Sequence, residues 1–382
     1  MHRSFIEQIS IGKDIVEQYY GEQPHHTYWN GCSQGGRQWY AIAQRNPGVV
    51  DGILAAAPAI NLVSVAIGGH WPQVVMNEAN TFLSQCEFDW FRKKLMEECD
   101  ALDGYEDGVL NDPEECQHDP GQLIGSYIKC DGEAAVKVTP QMVDVVRQIR
   151  EGPKSSLGAK FWHGLAPGAS YLSTANISIS PEGVRSINPN GLPLVNDALL
   201  PPGTGFSAVS RQSYFAMWTQ AFHEWQWSME AETVELAALR DSGVKMITWH
   251  GLADDIIPYK NTLVYRERVE HRMGGAGEVD KFYRVFLAPG VVHCFGGRGP
   301  VPIDPMAALV DWVEKGKAPD SIDGATSNEA GDRITRKLCK WPAKAMYNGA
   351  GDPKRAASWA CSNSSTGWAK VGHAEYQWHD EL

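Results

Sequence analysis

The sequence has 382 residues, and 43% of them are hydrophobic, which suffices for a large buried core in two or three compact units. Its formal net charge is −12 with no balancing basic run, which favours a neutral or cationic partner over a nucleic acid or an anionic membrane. No apolar run reaches the roughly 18 residues that span a bilayer, and the opening residues, MHRSFIEQIS, are too polar for a signal peptide.

The first 60 residues alternate between helical and strand patterns. Apolar side chains recur at helical spacing from Phe5 to Tyr19, and Gly21 ends the pattern. The predicted elements are a helix over 5–19, a strand over 27–30, a helix over 37–44 and a buried strand over 49–57. This order is typical of an α/β layer.

The rest of the chain divides into an irregular middle and a second α/β part. The middle is rich in Trp, Asn, Pro and Gly and is interpreted as a lid inserted between two strands. Beyond it, residues 243–250 and 282–288 predict buried strands, and Asp304 predicts the cap of a helix that ends at Gly316. The predicted α/β fold therefore has a first core part (1–60), a lid (61–232) and a second core part (233–382).

The stretch WNGCSQGGRQW, residues 29–39, contains a G-x-S-x-G pentapeptide around Ser33. In a nucleophile elbow the serine occupies a strained strand-to-helix turn, and glycines permit the close backbone approach. Gly31, Gly35 and Gly36 are candidates for that role. The backbone N–H of Gln34, the residue after the serine, is the candidate oxyanion donor.

An acid and a histidine follow later strands in the order of a hydrolase triad. Asp254 and Asp255 lie in the turn after strand 243–250, and His293 lies in the loop after strand 282–288. Taken singly, turn aspartates mostly cap backbone amides, and most histidines are solvated. Together with Ser33, the three positions predict nucleophilic catalysis.

The eight cysteines include no C-x-x-C pair, so they fit disulfides better than a zinc site. Cys32 directly precedes Ser33, and Cys294 directly follows His293. A disulfide between them would hold the hydroxyl within reach of the imidazole, where small misplacements cost rate. The alternative is two unrelated buried thiols.

The motifs GCSQGGRQ, HGLAD and HCFGGRGP resemble those of the tannase and feruloyl esterase family, which also contains the hydrolase of mono(2-hydroxyethyl) terephthalate. The resemblance covers nearly the whole chain and implies an α/β-hydrolase fold. It implies Ser33 as nucleophile, His293 as general base and acid, and Asp254 as the orienting carboxylate, with Asp255 as runner-up. The implied substrates are aromatic esters, either hydroxycinnamoyl or galloyl.

The acidic stretch CDALDGYEDGVLNDPEEC, from Cys99 to Cys116, offers the hard oxygen ligands that suit Ca²⁺. It matches an EF-hand poorly, because Tyr105 occupies the third ligand position and a proline interrupts the end of the loop. The family resemblance implies a structural calcium instead, with a Cys99–Cys116 disulfide closing the loop. The implied ligands are Asp100, Asp103, Asp107 and the carbonyls of Tyr105 and Val109.

The resemblance also implies a disulfide between Cys339 and Cys361. Cys130 resembles the first member of a further lid pair whose second cysteine is missing, so Cys86 either substitutes for it or both are free. Lid aromatics are candidates for binding the acid part of the ester, although packing in the lid core is the more common role for such side chains. They are Trp71, Trp218, Phe222, Trp225 and Trp227.

Sequons at Asn176 and Asn363 and the terminal residues 379–382, HDEL, indicate the secretory pathway, with secretion or retention in the endoplasmic reticulum. Only 32 residues precede Ser33, fewer than the upstream strands of an α/β-hydrolase require. We therefore expect a fragment with an exposed sheet edge, low stability and weak activity. The alternative function is an inactive, calcium-stabilised binding protein of the lumen.

Overall fold

The N-terminal part of the chain forms one edge of the central sheet. The structure is a computed structural model, and it describes residues 2–132, 134–155, 158, 160–180, 183–187 and 209–362. The N-terminal elements are α1 (His2–Tyr20), β1 (Tyr28–Cys32), α2 (Gln34–Arg45) and β2 (Gly52–Ala56). Each coincides with a predicted element. The order of strand, tight turn, helix and strand matches the sequence prediction.

The lid segment is more helical than its composition indicates. Its helices are α3 (Leu62–Gly68), α4 (Trp71–Glu78), α5 (Gln85–Cys99), α6 (Pro140–Glu151) and α7 (Arg211–Met229). Two short antiparallel pairs accompany them, β3 (Tyr127–Ile128) with β4 (Val136–Lys137) and β5 (Ile177–Ile179) with β6 (Arg185–Ile187). A capping box between Ser84 and Glu87 starts α5. These helices share an apolar core of their own.

The C-terminal part returns to alternating helices and strands. It contains α8 (Ala237–Asp241), β7 (Lys245–Gly251), α9 (Tyr259–Met273), α10 (Ala276–Val279), β8 (Tyr283–Ala288), β9 (Val301–Pro302) and α11 (Pro305–Lys315). As predicted, the Asp304 side chain caps α11, and Gly316 ends it at φ +68°. The last strands are β10 (Ser321–Ser327), β11 (Arg333–Cys339), β12 (Lys344–Tyr347) and β13 (Trp359–Ser362).

The central sheet has the strand order β1-β2-β7-β8, and every neighbouring pair is parallel. Helix α2 and the apolar side of α1 pack on one face, and α11 with β10 and β11 covers the other. Because the strands are parallel, their carboxyl ends meet at one edge of the sheet. The segments after β1, β7 and β8, which carry Ser33, Asp254 and His293, therefore converge there.

None of the described helices combines the length and the apolar character that a membrane span requires.

Candidate active site

Ser33 lies on a strained turn between β1 and α2. Its backbone has φ 61° and ψ −122°, a combination that residues other than glycine rarely adopt. The N–H of Ser33 donates to the carbonyl of Ala56 at 3.0 Å, and its own carbonyl accepts from the N–H of Arg37 at 3.0 Å. This strand-turn-helix geometry is that of a nucleophile elbow.

Two of the three glycines around Ser33 are required by close contacts. A Cβ on Gly31 would lie 2.7 Å from the backbone carbon of Gly35, and one on Gly36 would lie 2.9 Å from the carbonyl oxygen of Ala56. A Cβ on Gly35 would meet nothing within 4 Å. Close contacts therefore require glycine at positions 31 and 36, whereas position 35 has room for a side chain.

Asp254 and His293 are in direct contact. The Nδ1 of His293 lies 2.8 Å from Oδ2 of Asp254. Because a carboxylate only accepts, Nδ1 carries the hydrogen, and Nε2 of the neutral ring is left as a proton acceptor. The other carboxylate oxygen, Oδ1, accepts from the N–H groups of Ile256 and Ile257, both at 2.9 Å.

Asp254 is held ionised although it is only 1% exposed. Burial alone would raise its pKa, but the hydrogen bonds that His250 and His293 donate outweigh burial and hold that pKa well below the usual range of an aspartic acid. A carboxylate that stays ionised can stabilise the imidazolium that forms when His293 accepts a proton.

His250 is a contact of this site that the sequence analysis does not identify. It lies on β7, is fully buried, and places Nε2 at 3.1 Å from Oδ2 of Asp254. The signal was present in WHGLADD, where the histidine precedes the aspartate by four residues at the end of one strand. Nothing in the spacing says that the two side chains turn toward each other.

The disulfide Cys32–Cys294 joins the nucleophile turn to the histidine loop. The two Cα atoms are 5.9 Å apart although 262 positions separate the residues in the sequence. Each cysteine is the direct chain neighbour of a candidate catalytic residue, so the bond attaches the turn that carries Ser33 to the loop that carries His293. The sequence prediction of this pair, rather than two unrelated thiols, agrees with the structure.

Asp255, the alternative acid, has a different partner. Its carboxylate is hydrogen-bonded to Ser173 of the lid, and burial raises its pKa in spite of that bond. Asp255 also lines a small cavity of about 30 Å³ together with Trp71 and Ile256. Of the two aspartates, Asp254 is the one that reaches His293.

Gln34 begins α2, so its N–H belongs to the first turn of the helix, where backbone donors have no partner within the helix. Its side-chain oxygen accepts from Nε of Arg37 at 2.7 Å, and Arg37 also donates to the carbonyl of Met229 at 2.9 Å. Burial lowers the pKa of Arg37. The side-chain oxygen of Gln34 is thus hydrogen-bonded to Arg37.

The acidic loop between Cys99 and Cys116 is closed by the disulfide that the resemblance implies. Within it, Asp100 accepts from the N–H groups of Gly108 and Val109 at 2.9–3.1 Å, and Asp103 accepts from that of Tyr105 at 3.0 Å. The Oδ2 of Asp107 binds Arg336 at 2.6 Å. Its Oδ1 is buried without a hydrogen-bond partner among the described residues.

The carboxylates of this loop are crowded. Burial raises the pKa of Asp103 to about 7 and that of Asp107 to about 6. Within the described part of the chain, one set of three His, Cys, Asp or Glu side chains brings its ligand atoms within 4.8 Å of one another, namely Cys32, His293 and Cys294. Because the disulfide uses both of those sulfurs, this set is no metal site.

Other acidic side chains of the loop bind the catalytic core. Glu114 accepts from the hydroxyl of Tyr259 and from Lys260, both at 2.8 Å. The buried Lys344 on β12 binds Asp112 directly and also donates to Glu115 at 3.1 Å. These contacts attach the loop to α9 and to the C-terminal strands.

The five candidate lid aromatics divide by exposure. Trp71, Trp218 and Phe222 are at most 4% exposed and belong to the lid core, which is the role that the sequence analysis considers more common. Trp225 and Trp227, at the end of α7, are 38% and 74% exposed. A separate cavity of about 230 Å³ lies between lid and core, but Ser33 and His293 do not line it.

The remaining cysteines are also paired. Cys86 joins Cys130, which resolves the alternative left open by the sequence, and Cys339 joins Cys361 as the resemblance implies. No free cysteine remains, and all eight fall within the described residues. Asn363 and the terminal HDEL lie outside those residues, so their predicted roles have no structural counterpart here.

Comparison with known proteins gives the family. The sequence profile described as "Tannase and feruloyl esterase" matches residues 1–196 and 204–362. A probable feruloyl esterase of Arthroderma benhamiae is 40% identical over 368 residues, covering 94% of this chain and 68% of that protein. The chain belongs to the tannase and feruloyl esterase family. The resemblance of its motifs is therefore confirmed.

Further relatives of this tannase and feruloyl esterase family member agree. The mono(2-hydroxyethyl) terephthalate hydrolase of Piscinibacter sakaiensis is 29% identical over 94% of the chain and 68% of its own length. Among solved structures, a tannin acyl hydrolase from Aspergillus niger superposes with a TM-score of 0.84 at 23% identity, covering 93% of this chain and 68% of that one. These comparisons confirm the predicted α/β-hydrolase fold and the enzyme class, a carboxylic ester hydrolase.

Proposed function

We propose that this family member hydrolyses aromatic carboxylic esters through an acyl-enzyme on Ser33. His293 Nε2 takes the hydroxyl proton as the oxygen attacks the ester carbonyl, and the imidazolium then protonates the departing alcohol. Water, deprotonated by His293, attacks the acyl-enzyme, and His293 returns that proton to the Ser33 oxygen as the bond to the acyl group breaks and the acid leaves. Asp254 keeps the ring in the required tautomer and stabilises its positive charge in both halves.

One observation carries this mechanism. The 2.8 Å contact between His293 and Asp254 fixes the ring, while the Cys32–Cys294 disulfide holds the turn of Ser33 beside it. Proton transfer requires such pre-arranged neighbours, because a general base must lie within hydrogen-bond reach of the proton that it takes. An arrangement of this kind favours an enzyme over a non-catalytic binding protein.

The N–H of Gln34 is the proposed oxyanion donor. It follows the nucleophile and lies at the start of α2, so the positive end of the helix dipole adds to its effect. A single donor of this kind typically contributes about 10²- to 10³-fold in kcat.

The proposed substrate class rests on the named relatives. They include feruloyl esterases and a hydrolase of mono(2-hydroxyethyl) terephthalate, whose names share an aromatic acid esterified to an alcohol. We extend to this chain an aromatic acyl group without choosing between galloyl, hydroxycinnamoyl and terephthaloyl. Trp225 and Trp227 stay candidates for contact with it.

We also propose that the acidic loop holds a structural Ca²⁺. Its donors would be the carboxylates of Asp100, Asp103 and Asp107 and the carbonyls of Tyr105 and Val109. The donor set fits, since all are hard oxygens, Asp107 Oδ1 is a buried acceptor with no described donor, and the pKa values of Asp103 and Asp107 are raised. Binding would draw the carboxylates closer, and the ion would take no part in the acyl transfer.

A secretory destination is proposed on the disulfides. Four disulfides in one chain are typical of oxidising compartments and rare in a reducing cytosol. Glycosylation at Asn176 and retrieval through the terminal HDEL remain predictions.

A fluorophosphonate probe tests the catalytic proposal. We expect the 382-residue protein to be labelled at Ser33 and to hydrolyse at least one of methyl gallate, methyl ferulate and methyl p-coumarate. Ser33→Ala should lose both properties. The matched control is Ser242→Ala, since Ser242 precedes the opposite end of β7 and donates to the carbonyl of Leu239.

Absence of labelling in folded wild-type protein would support the binding-protein alternative and contradict the proposed role of Ser33 as nucleophile. Turnover numbers from the same assay also test the expectation that this chain is weakly active.

A further inference from the structure

The carboxylate oxygen of Asp254 that contacts His293 also contacts a second histidine. His250 Nε2 lies 3.1 Å from Oδ2 of Asp254 and 3.0 Å from the carbonyl oxygen of Ile257. The second ring nitrogen, Nδ1, lies 2.8 Å from the hydroxyl oxygen of Thr262 on α9. All polar atoms of this fully buried ring therefore have partners.

The partners define the tautomer of His250. A carboxylate and a carbonyl only accept hydrogen bonds, so Nε2 must carry the hydrogen and share it between Asp254 and Ile257. In the neutral ring Nδ1 is then an acceptor, and the hydroxyl of Thr262 donates to it. Thr262 thus fixes the proton of His250 on the side that faces the acid.

We propose that His250 is a positioning residue for the acyl transfer, holding the carboxylate of Asp254 in the orientation that serves His293. The inference rests on the proposed function. It assigns to the active site a chain of contacts that runs from Thr262 on α9 through His250 on β7 to Asp254 and His293.

His250 completes the set of donors around Asp254. The Oδ1 atom accepts two backbone N–H groups, and Oδ2 accepts two imidazole N–H groups. The backbone donors to Oδ1 alone still let the carboxylate plane tilt. The donor from His250, on a buried strand, holds Oδ2 in the position where it accepts the hydrogen bond of His293. His250 can do so because β7 is an interior strand, paired on both sides by β2 and β8.

Titratable groups close to Asp254 among the described residues include two histidines and the adjacent Asp255, whose charge repels that of Asp254. The titratable groups that face its carboxylate are His250 on β7 and His293 in the loop after β8. Asp255, the next residue, directs its carboxylate to Ser173. Loss of the His250 donor leaves the negative charge of Asp254 less neutralised, so the His293 imidazolium becomes more favourable. The acid limb of kcat/KM is then expected to move to higher pH.

Two amide substitutions separate positioning from packing. In His250→Gln the side-chain NH₂ reaches the position of Nε2 and can still donate to Asp254. In His250→Asn the shorter amide reaches only the position of Nδ1, where it can meet Thr262 but not the acid. Both remove the imidazole, so a difference between them reports the donor.

We expect His250→Asn to lower kcat by about 10²-fold with little change in KM, because the catalytic pair rather than the substrate is misplaced. His250→Gln should retain most of kcat. The acid limb of kcat/KM should rise in the Asn variant and stay near wild type in the Gln variant. Melting temperatures of both variants report any general loss of folding.

Nitrogen-15 NMR of the histidine rings supplies a readout that needs no substrate. We expect His293 to hold its hydrogen on Nδ1 in the wild type and in His250→Gln, and to populate both tautomers in His250→Asn. If the wild type neither turns over esters nor reacts with the fluorophosphonate, the proposed function fails while this spectrum still decides the role of His250. Equal kcat, equal acid limbs or an unchanged His293 tautomer in the two variants would overturn the inference.

Discussion

Asp254 and Asp255 are adjacent in the sequence and both buried, at 1% and 8% exposure, yet their carboxylates face different parts of the molecule. Asp254 turns toward the histidines at the carboxyl edge of the sheet, and Asp255 turns toward Ser173 in the lid. The sequence shows only that two acids follow β7. Their side-chain directions depend on the turn, in which Oδ1 of Asp254 is fixed by the backbone N–H groups of Ile256 and Ile257.

Substitution of each aspartate by asparagine tests whether Asp254, and not Asp255, is the acid that orients His293. Asp254→Asn should lower kcat by about 10⁴-fold, because an amide donor opposite Nδ1 favours the wrong tautomer of His293. Asp255→Asn should change kcat less than about tenfold, since it alters a lid contact and not the ring. Steady-state kinetics with one aromatic ester measures both. Similar losses in the two variants would contradict the assignment of Asp254 as the acid.

Some residues of the site follow from the sequence and others do not. Ser33, Asp254 and His293 stand in recognisable motifs at strand ends, and order along the chain suggests their convergence. His250 stands in the same HGLAD motif, but the motif assigns no role to its ring, because a histidine in a buried strand looks the same in the sequence as one that packs in the core. Only the local direction of its ring, toward Asp254 on one side and Thr262 on the other, reveals the contact.

At the scale of elements, the turn after β1 and the loop after β8 are far apart in the sequence, and one disulfide joins them. The Cys32–Cys294 disulfide closes a loop of 262 residues, which the entropic model values at up to about 5 kcal/mol of unfolding free energy. Cys294 itself has φ 66°, so the histidine loop bends sharply where the bond attaches. The bond therefore constrains position as well as stability.

Replacing both cysteines separates these effects. We expect Cys32→Ala with Cys294→Ala to lower kcat more than it raises KM, because the bond places Ser33 beside His293 and does not contact the substrate. The matched control is Cys339→Ala with Cys361→Ala, which removes a disulfide from the β11 and β13 region. The control pair should lower the melting temperature and leave kcat near wild type. A rise in KM alone for the first pair would refute the positional role.

Elements of the core were predictable because their patterns are strong. β2, β7 and β8 are almost continuously buried, and Asp304 and Gly316 cap the two ends of α11. The lid helices were not predicted, because the Trp, Asn, Pro and Gly content of the segment indicates irregular structure, although the buried residues of α6 and α7 recur at helical spacing. In α7, for example, Tyr214, Trp218 and Phe222 are buried on one side while Phe215 packs on the same cluster.

For the whole molecule, the acidic loop forms a set of polar contacts between lid and core. Arg336 on β11 binds Asp107, Lys344 on β12 binds Asp112, and Lys260 on α9 binds Glu114. The first two pairs are 229 and 232 positions apart in the sequence. No local sequence pattern predicts such contacts, because they form only when the lid packs onto the C-terminal strands.

A chelator tests the calcium site that we propose in this loop. A ligand that binds only the folded state stabilises it by mass action, by about 2.7 kcal/mol when its free concentration is about 100 times Kd. We therefore expect excess chelator to lower the melting temperature of the protein and added Ca²⁺ to restore it, while Mg²⁺, which demands tighter octahedral geometry, restores it less. Thermal unfolding followed by calorimetry or circular dichroism gives the measurement.

Two variants of the acidic loop test which of its side chains bind the proposed Ca²⁺. Asp103→Asn weakens a proposed ligand and should reduce the calcium-dependent rise in melting temperature, whereas Glu106→Gln removes an exposed charge from the same loop and should preserve it. Because Asp103 has a raised pKa in the folded protein without an ion, its neutral amide should not destabilise the calcium-free form. Chelator-treated wild type and Asp103→Asn are therefore expected to melt at similar temperatures. Identical melting curves of the wild type with calcium and with chelator would eliminate the site.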